Sequence, residues 1–589
     1  MTALNRQPTS PLARLPEEGT VAYFSMEIAI RPDMPTYSGG LGVLAGDTLR
    51  SAADLALNMA GVTLVHRKGY YSQHLDAEGN QTESAQPWSP EAKLVAEDPR
   101  VTIAIEGRTV TIRAWRFDVH GATGHTVPIY MLDTDLEENH PEDRNLTDHL
   151  YGGDGDYRLR QEAVLGLGGP RILNALGYEP VVFHMNEGHA ALLTVAALEQ
   201  RMAGRSLDSA TDADVSAVRE RCVFTTHTPV PAGHDRFSRE QSNRILGVER
   251  TNLIERVGGF HDGLMNMTYV ALRFSRFVNG VAMQHGKVSR AMFPEYQISA
   301  ITNGIHAGTW TSETIQAVFD QHMPRWRQDN VTLRYAIDID SEQIHEAHQA
   351  SKRRLIQEVA DRSGVQLDEN IFTIGFARRA ATYKRADLFF HDPERLVRLA
   401  RDHGGLQVLY SGKAHPADAP GKAKIKRVIE LARELGSETL KIVYLENYNW
   451  ELGALLTQGV DLWLNTPKRP YEASGTSGMK AAINGVPSLS ILDGWWIEGW
   501  IEGVTGWAIE DREDEGGEAA SLYEHLEQEI LPTYYKEHER WHRIMRSAIA
   551  LNGSFFNTQR MIEQYLLNAY FPEQLVDISA ESLEPVLTR

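Results

Sequence analysis

Short apolar runs, each ending in a polar or glycine-rich loop, recur along the chain and are followed by stretches with helical spacing. Apolar runs of this length read as buried strands, and recurrence at i, i+3 and i+4 reads as an amphipathic helix. Val21-Ala22-Tyr23-Phe24-Ser25 predicts the first strand. Leu41, Leu44, Thr48, Leu49, Ala52 and Leu55 then predict a helix opening on Gly39-Gly40. Residues 101–104 and 109–117 alternate on either side of Glu106-Gly107 and predict a hairpin, with a strand over 127–131 after it. A long helix is expected over 158–176, ended by Gly177. Strands over 181–184, 222–228 and 277–282 complete a first series, closed by Ile301-Thr302-Asn303-Gly304-Ile305. A polar helix over 341–360 leads to a second series, with strands over 372–376, 406–410, 440–444, 460–464 and 488–492. Residues 518–531 and 534–567 read as terminal helices and 581–589 as a tail. Two such α/β series predict two doubly wound, Rossmann-like domains with a cleft between them.

Size and composition agree with that division. A chain of 589 residues exceeds one compact core, and 42% hydrophobic with 23% charged residues is globular rather than disordered. The net charge of −20 argues against nucleic acid as a partner, and any bound phosphate then needs a local basic cluster. A single cysteine, Cys222, excludes an intramolecular disulfide and fits a reducing cytoplasm. No apolar run is long enough for a bilayer. Residues 1–19 hold Pro8, Pro11 and Pro16 without an apolar core and read as a loose leader, not a signal peptide.

Two stretches carry candidate chemistry. Tyr471-Glu472-Ala473-Ser474-Gly475-Thr476-Ser477-Gly478-Met479-Lys480 follows an apolar strand and opens a short helix on glycines. The first N–H groups of a helix lack internal partners and favour an anion, and glycine lets a bulky oxyanion approach. Lys480 lies four residues after Thr476, near the same helix face. An anion cradle one turn from an amine is what pyridoxal phosphate requires. Arg378-Arg379-Ala380-Ala381-Thr382-Tyr383-Lys384-Arg385, at the carboxyl end of a strand, places four basic residues within eight in an acidic chain. The helix dipole disfavours cations at a helix start, so such a cluster suggests a bound anion. His227 also stands at a strand's carboxyl end, where open α/β sheets bind ligands. His189, after Asn186-Glu187-Gly188, reads first as a helix-start histidine.

Together these stretches resemble the α-glucan phosphorylases of the short prokaryotic type, on Glu472-Ala473-Ser474-Gly475-Thr476, Met479-Lys480 and Asn484-Gly485, on the basic motif ending Tyr383-Lys384-Arg385, on Gly39-Gly40-Leu41-Gly42, on His227-Thr228 and on Thr302-Asn303-Gly304. The resemblance implies a GT-B glycosyltransferase fold: leader 1–19, an N-terminal domain over 20–303, a pyridoxal-phosphate-binding domain over 304–535, and helices over 536–589 crossing back to the first domain. It implies that Lys480 carries pyridoxal 5'-phosphate, with Thr476, Ser477 and Arg378 at its phosphate and Tyr448 beside its ring. Arg379 and Lys384 would clamp inorganic phosphate. Gly40, Leu41, His227, Asn303, Tyr383, Glu472, Ser474 and Gly475 would face substrate, and His189 would stand behind them. The catalytic set is then His227, Arg379, Lys384 and Lys480, with no metal. The reaction implied is retaining phosphorolysis of α-1,4-glucan to α-D-glucose 1-phosphate in the cytoplasm, with glucan and inorganic phosphate as partners and a homo-oligomer admitted. Many members carry His-Glu where this chain has Ala381-Thr382. The rival within the fold is a sugar-nucleotide glucosyltransferase, which carries two glutamates with seven residues between them; the first here is Glu472, but the second position is Lys480. An aminotransferase-like pyridoxal enzyme and a non-catalytic glucan-binding protein are the rivals from other classes.

Overall fold

The computed structural model describes residues 19–230, 233–512 and 517–572, so most of the leader and the whole 581–589 tail lie outside the described residues. Two twisted sheets take up the apolar runs. The first has nine strands, in the order Ser299–Ala300, Phe277–Gly280, Cys222–Thr225, Pro180–Asn186, Thr20–Ser25, Met59–Leu64, Thr126–Asp133, Arg108–His120, Val95–Ile105. Its pairs are parallel except for the last two, which make the expected hairpin around Glu106 and Gly107 and its return. The second has six strands, all parallel, in the order Leu440–Leu445, Leu406–Ser411, Thr373–Ala377, Leu462–Asn465, Ser488–Ile491, Gly506–Ile509. Strands such as Thr20–Ser25, Met59–Leu64 and Leu406–Ser411 are buried at every position. Parallel strands covered by helices on both faces need such continuous apolar runs. In the first sheet the winding reverses between Thr20–Ser25 and Pro180–Asn186, which pair although far apart in the chain. A crevice opens at such a reversal, beyond the strands' carboxyl ends.

Several helices differ from their sequence pattern. The stretch 158–176 divides into Gly155–Ala163, a wide π-type turn over Val164–Gly168, and Gly169–Ala175. Pro170 has no N–H to offer Gly166, and a Cβ on Gly166 would come within 2.6 Å of Leu192. The ladder is relieved where proline and close packing coincide. The terminal pattern 534–567 likewise breaks, with a new start at Thr558–Tyr565 capped by Asn557, whose Oδ1 accepts from Arg560 N at 3.0 Å.

The last segment returns to the first sheet. Tyr565 O–H meets Thr225 Oγ1 at 2.9 Å, Tyr570 O–H meets His184 Nδ1 at 2.6 Å, and Arg276 donates to the carbonyls of Ala569 and Tyr570. It crosses the joint between the two series at Gly304, where Ile305 N donates to Phe556 O and Thr558 N to Ile305 O. A Cβ on Gly304 would lie 2.2 Å from Asn557 C, so only glycine permits this approach. The hairpin Ser72–Leu75/Gln81–Ser84 straps the halves from the other side: Gln73 Nε2 donates to Gly412 O at 2.9 Å and Leu75 N to Glu446 Oε2 at 2.8 Å. No helix among the described residues is long and apolar enough to cross a membrane.

Candidate active site

The carboxyl ends of both sheets meet at a cleft of about 1680 Å³. The first sheet contributes Glu27, Glu187, His227 and Val281, each just past a strand; the second contributes Arg378, Lys413 and Tyr448 in the same way. All fifteen residues singled out in the sequence as binding or catalytic line this one cleft.

The helix Thr476–Ile483 starts at Gly475, which has φ +85° and no side chain to cap the turn. The N–H groups of Thr476 and Ser477 therefore have no partner among the described residues, and both residues line the cleft. Gly478 lies against the Trp495 indole, where a Cβ would come within 2.8 Å, and Trp495 N donates to Ser474 O at 2.8 Å. The unforeseen function of the aromatic loop is thus to back the glycine turn. Ser474 Oγ and Arg378 Nε are buried without partners. Lys480 is 8% exposed, its Nζ lies 3.5 Å from the centroid of the Trp310 ring, and it makes no hydrogen bond or ion pair among the described residues. Burial pulls this amine down to about 8. Trp310 is itself fixed by donating Nε1 to Asp47 Oδ2 at 2.7 Å.

The basic stretch forms a bend and a tight turn over Thr382–Lys384 rather than a helix start. Its cations divide into two classes. Arg378 and Lys384 both hold Glu472, with Lys384 Nζ 2.8 Å from each carboxylate oxygen. Burial pushes Glu472 up, yet Arg378 and Lys384 hold it at about 2. Arg379 has no carboxylate within 4 Å among the described residues and is exposed to the solvent of the cleft. Its field is felt nearby: burial pushes the Tyr383 phenol up, yet Lys384, Arg379 and Arg378 bring it below its ordinary value. Asp493, pushed up to about 6 by burial, accepts from Glu472 N at 2.9 Å and fixes that residue's backbone.

Across the cleft, enclosure pulls His227 down to about 3, so the ring is neutral near pH 7. Its Nε2 lies 2.6 Å from Asn186 Oδ1, which requires N–H there and leaves Nδ1 as an acceptor. Asn303 donates its N–H to Val281 O, but its Oδ1 is buried without a partner. His189 lines the cleft 3.4 Å from Asp235 and is likewise pulled down to about 3 by burial. Gly40 and Leu41 begin the helix Gly40–Asp54.

Glu27 is the residue that sequence reasoning missed here. It accepts from the N–H groups of Ser38 and Gly39 and from Tyr151 O–H at 3.0 Å, pinning the glycine turn from below. Burial raises its pKa, and the Ser38 and Gly39 N–H groups oppose that rise. Its only sequence signal is a carboxylate directly after an apolar strand. Glu27→Ala leaves these donors without an acceptor, at a cost of roughly 1–3 kcal/mol, so Tm should fall and the loosened glycine turn should lower kcat/KM by about tenfold or more. Steady-state kinetics beside a thermal melt checks both parts.

The model of the carbohydrate phosphorylase family matches residues 234–502. Maltodextrin phosphorylase of Thermococcus litoralis is 37% identical over 599 aligned residues, covering 94% of this chain and 70% of that protein. Glycogen phosphorylase of Mycobacterium tuberculosis is 36% identical, covering 94% and 71%. Glycogen phosphorylase of Aquifex aeolicus is 33% identical, covering 93% and 86%. Similarity of this extent runs through both sheets and the crevice between them, and the two-sheet α/β architecture is the GT-B fold. The chain belongs to the carbohydrate phosphorylase family.

Proposed function

We propose that this protein is a cytoplasmic α-glucan phosphorylase, releasing α-D-glucose 1-phosphate from the non-reducing ends of α-1,4-glucans with retention and in a reversible manner. The reading rests on one observation: an unpaired cation, an uncapped glycine-opened helix start and a buried, partnerless lysine amine converge in one cleft. An acidic chain that keeps three such features together is arranged for two anions. The division into domains over 20–303 and 304–535, with 536–589 crossing back, belongs to the same proposal.

The residues present fit pyridoxal 5'-phosphate. The partnerless Ser474 Oγ and Arg378 Nε, the Lys480 amine over Trp310 and the N–H groups of Thr476 and Ser477 supply donors and an amine that no other described residue uses. Lys480 would anchor the group, Thr476, Ser477 and Arg378 would hold its phosphate, and Tyr448 would flank its ring. When bound, it supplies a phosphate that holds and passes a proton beside the reacting phosphate.

The chain's own residues do the rest. Arg379 and Lys384 bind inorganic phosphate and lower the repulsion between two adjacent anions. The substrate phosphate gives its proton to the departing glycosidic oxygen. His227 and Asn303 orient the glucosyl unit: His227 Nδ1 accepts from a sugar hydroxyl, and Asn303 Oδ1 has a free acceptor. Gly40 and Leu41 close over the substrate on the loop that Glu27 pins. Glu472, already paired to Arg378 and Lys384, positions those cations and faces the sugar. No pair of carboxylates is needed to cleave the bond.

Maltoheptaose with inorganic phosphate should give glucose 1-phosphate as the α-anomer, followed by NMR, and glucose 1-phosphate with the shortened glucan should rebuild it. Formation of the β-anomer, or no product with enzyme saturated in pyridoxal phosphate, would refute the reading.

A further inference from the structure

Outside the cleft lining, the loop before strand Gly506–Ile509 meets the helical segment Gly517–His525 and its continuation Leu526–Ile530. Glu502, His525 and Glu529 converge there, a ligand-type atom of each lying within 4.8 Å of the others. His525 and Glu529 are four apart on a helical segment, so they share a face.

The carboxylates are held in a particular way. Glu502 Oε2 accepts from the Trp500 indole N–H at 2.6 Å and from Ala508 N at 3.1 Å. Glu529 Oε2 accepts from the Trp507 indole N–H at 2.9 Å. Each carboxylate thus has one oxygen tied by an outer donor, and Oε1 of each has no hydrogen bond among the described residues. Glu502 Oε1 lies 3.6 Å from His525 Nδ1, beyond hydrogen-bond length. His525, 15% exposed, makes no hydrogen bond with either ring nitrogen among the described residues, and its Nε2 is buried. One imidazole and two carboxylates anchored by outer donors are thereby left with ligand-type atoms within 4.8 Å of one another.

We infer that Glu502, His525 and Glu529 form a binding site for a divalent first-row transition ion, with Zn²⁺ as its representative. Two ligand atoms about 2.1 Å from one tetrahedral ion stand about 3.4 Å apart, near the 3.6 Å between Glu502 Oε1 and His525 Nδ1. One neutral imidazole and two carboxylates neutralise a 2+ charge. No lysine or arginine lies within 4 Å of either carboxylate among the described residues to do so instead. The indole N–H groups act as the outer partners that orient metal-binding carboxylates. Glu502 is exposed, which gives the ion an entry path and leaves a coordination position to water. The ion would clip the loop bearing Trp500 to the helix that packs behind the second sheet. The site is structural, and the proposal is independent of the reading of the cleft.

Chelator-treated, full-length holoenzyme should bind one equivalent of Zn²⁺ by calorimetry with Kd below about 10 µM, and Zn²⁺ should raise Tm by about 2–4 °C. Cobalt(II) should give visible bands of a four- or five-coordinate site. His525→Gln and Glu529→Gln should each weaken binding at least about tenfold and remove the Tm shift and the cobalt spectrum, with phosphorolysis unchanged. The chain has 22 histidines, so the variants are the deciding arm. Wild-type protein that takes up no zinc at 100 µM, or variants that bind as wild type does (an adventitious ion only), would overturn the assignment.

Discussion

Lys480→Ala should yield a folded protein without absorbance beyond the aromatic bands and with phosphorolysis reduced at least about 10³-fold, roughly 4 kcal/mol in the barrier. In the proposed reading this amine bonds the cofactor's aldehyde; among the described residues it makes no hydrogen bond, and it lies 3.5 Å from the Trp310 ring centroid. Removing a desolvated amine should leave Tm close to that of the cofactor-free wild-type chain, so misfolding would not account for the loss. The same burial predicts a pH dependence in the wild type. With the amine pulled down to about 8, about a tenth is uncharged at pH 7, against less than about a thousandth for an ordinary lysine. Capture of pyridoxal phosphate by the cofactor-free chain, followed by absorbance, should therefore rise about fivefold from pH 7 to 8 and level off above about 9. A rate still climbing tenfold per unit at pH 10 would mean an unshifted lysine. Normal turnover by Lys480→Ala would refute the functional assignment itself.

What could be read in advance was whatever is local in the chain. Apolar runs fixed at strand length, the glycine-opened turn at Gly475 and the four cations of 378–385 each lie within a few residues, and their chemistry shows in their spacing. What could not be read depends on partners brought together by the fold. Trp310 and Asp47 are 263 residues apart and neither stands out alone, yet their hydrogen bond sets the floor beneath Lys480. Glu27 matters through Ser38, Gly39 and Tyr151, and the last is 124 residues away. The division of the basic cluster is of the same kind. Arg378, Arg379 and Lys384 look equivalent in sequence, and only Glu472, arriving from the other side of Leu462–Asn465, separates paired from unpaired charge. The π-type turns escape the pattern because helical spacing continues through them unchanged; Pro170 and Pro532, each just after such a turn, are the local signals.

That division makes Arg379→Ala the most informative change at the substrate side. Arg378 and Lys384 are already committed to a carboxylate, so much of their charge is spent before substrate arrives. Arg379 has no carboxylate within 4 Å among the described residues, faces the cleft and pulls the Tyr383 phenol down together with its neighbours. A guanidinium that meets phosphate in a partly dehydrated cleft contributes several kcal/mol, most of it as charge develops. Arg379→Ala should lower kcat/KM for phosphate by about 10²–10³-fold, roughly 3–4 kcal/mol, with the cofactor absorbance intact and KM for glucan little changed. Stability separates this from a structural effect. Arg379 leaves no carboxylate behind when removed, only its contact with the Tyr383 phenol, so Tm should change little. Lys384→Ala, by contrast, strips a buried carboxylate of one of its two cations and should lower Tm as well as activity. Lys384→Ala and Arg379→Ala measured side by side, by phosphate kinetics and thermal melts, decide it. If Arg379→Ala left phosphate kinetics untouched while Lys384→Ala impaired them with an unchanged melt, the anion would be held by the cation the fold pairs, and the clamp would have to be redrawn around Glu472.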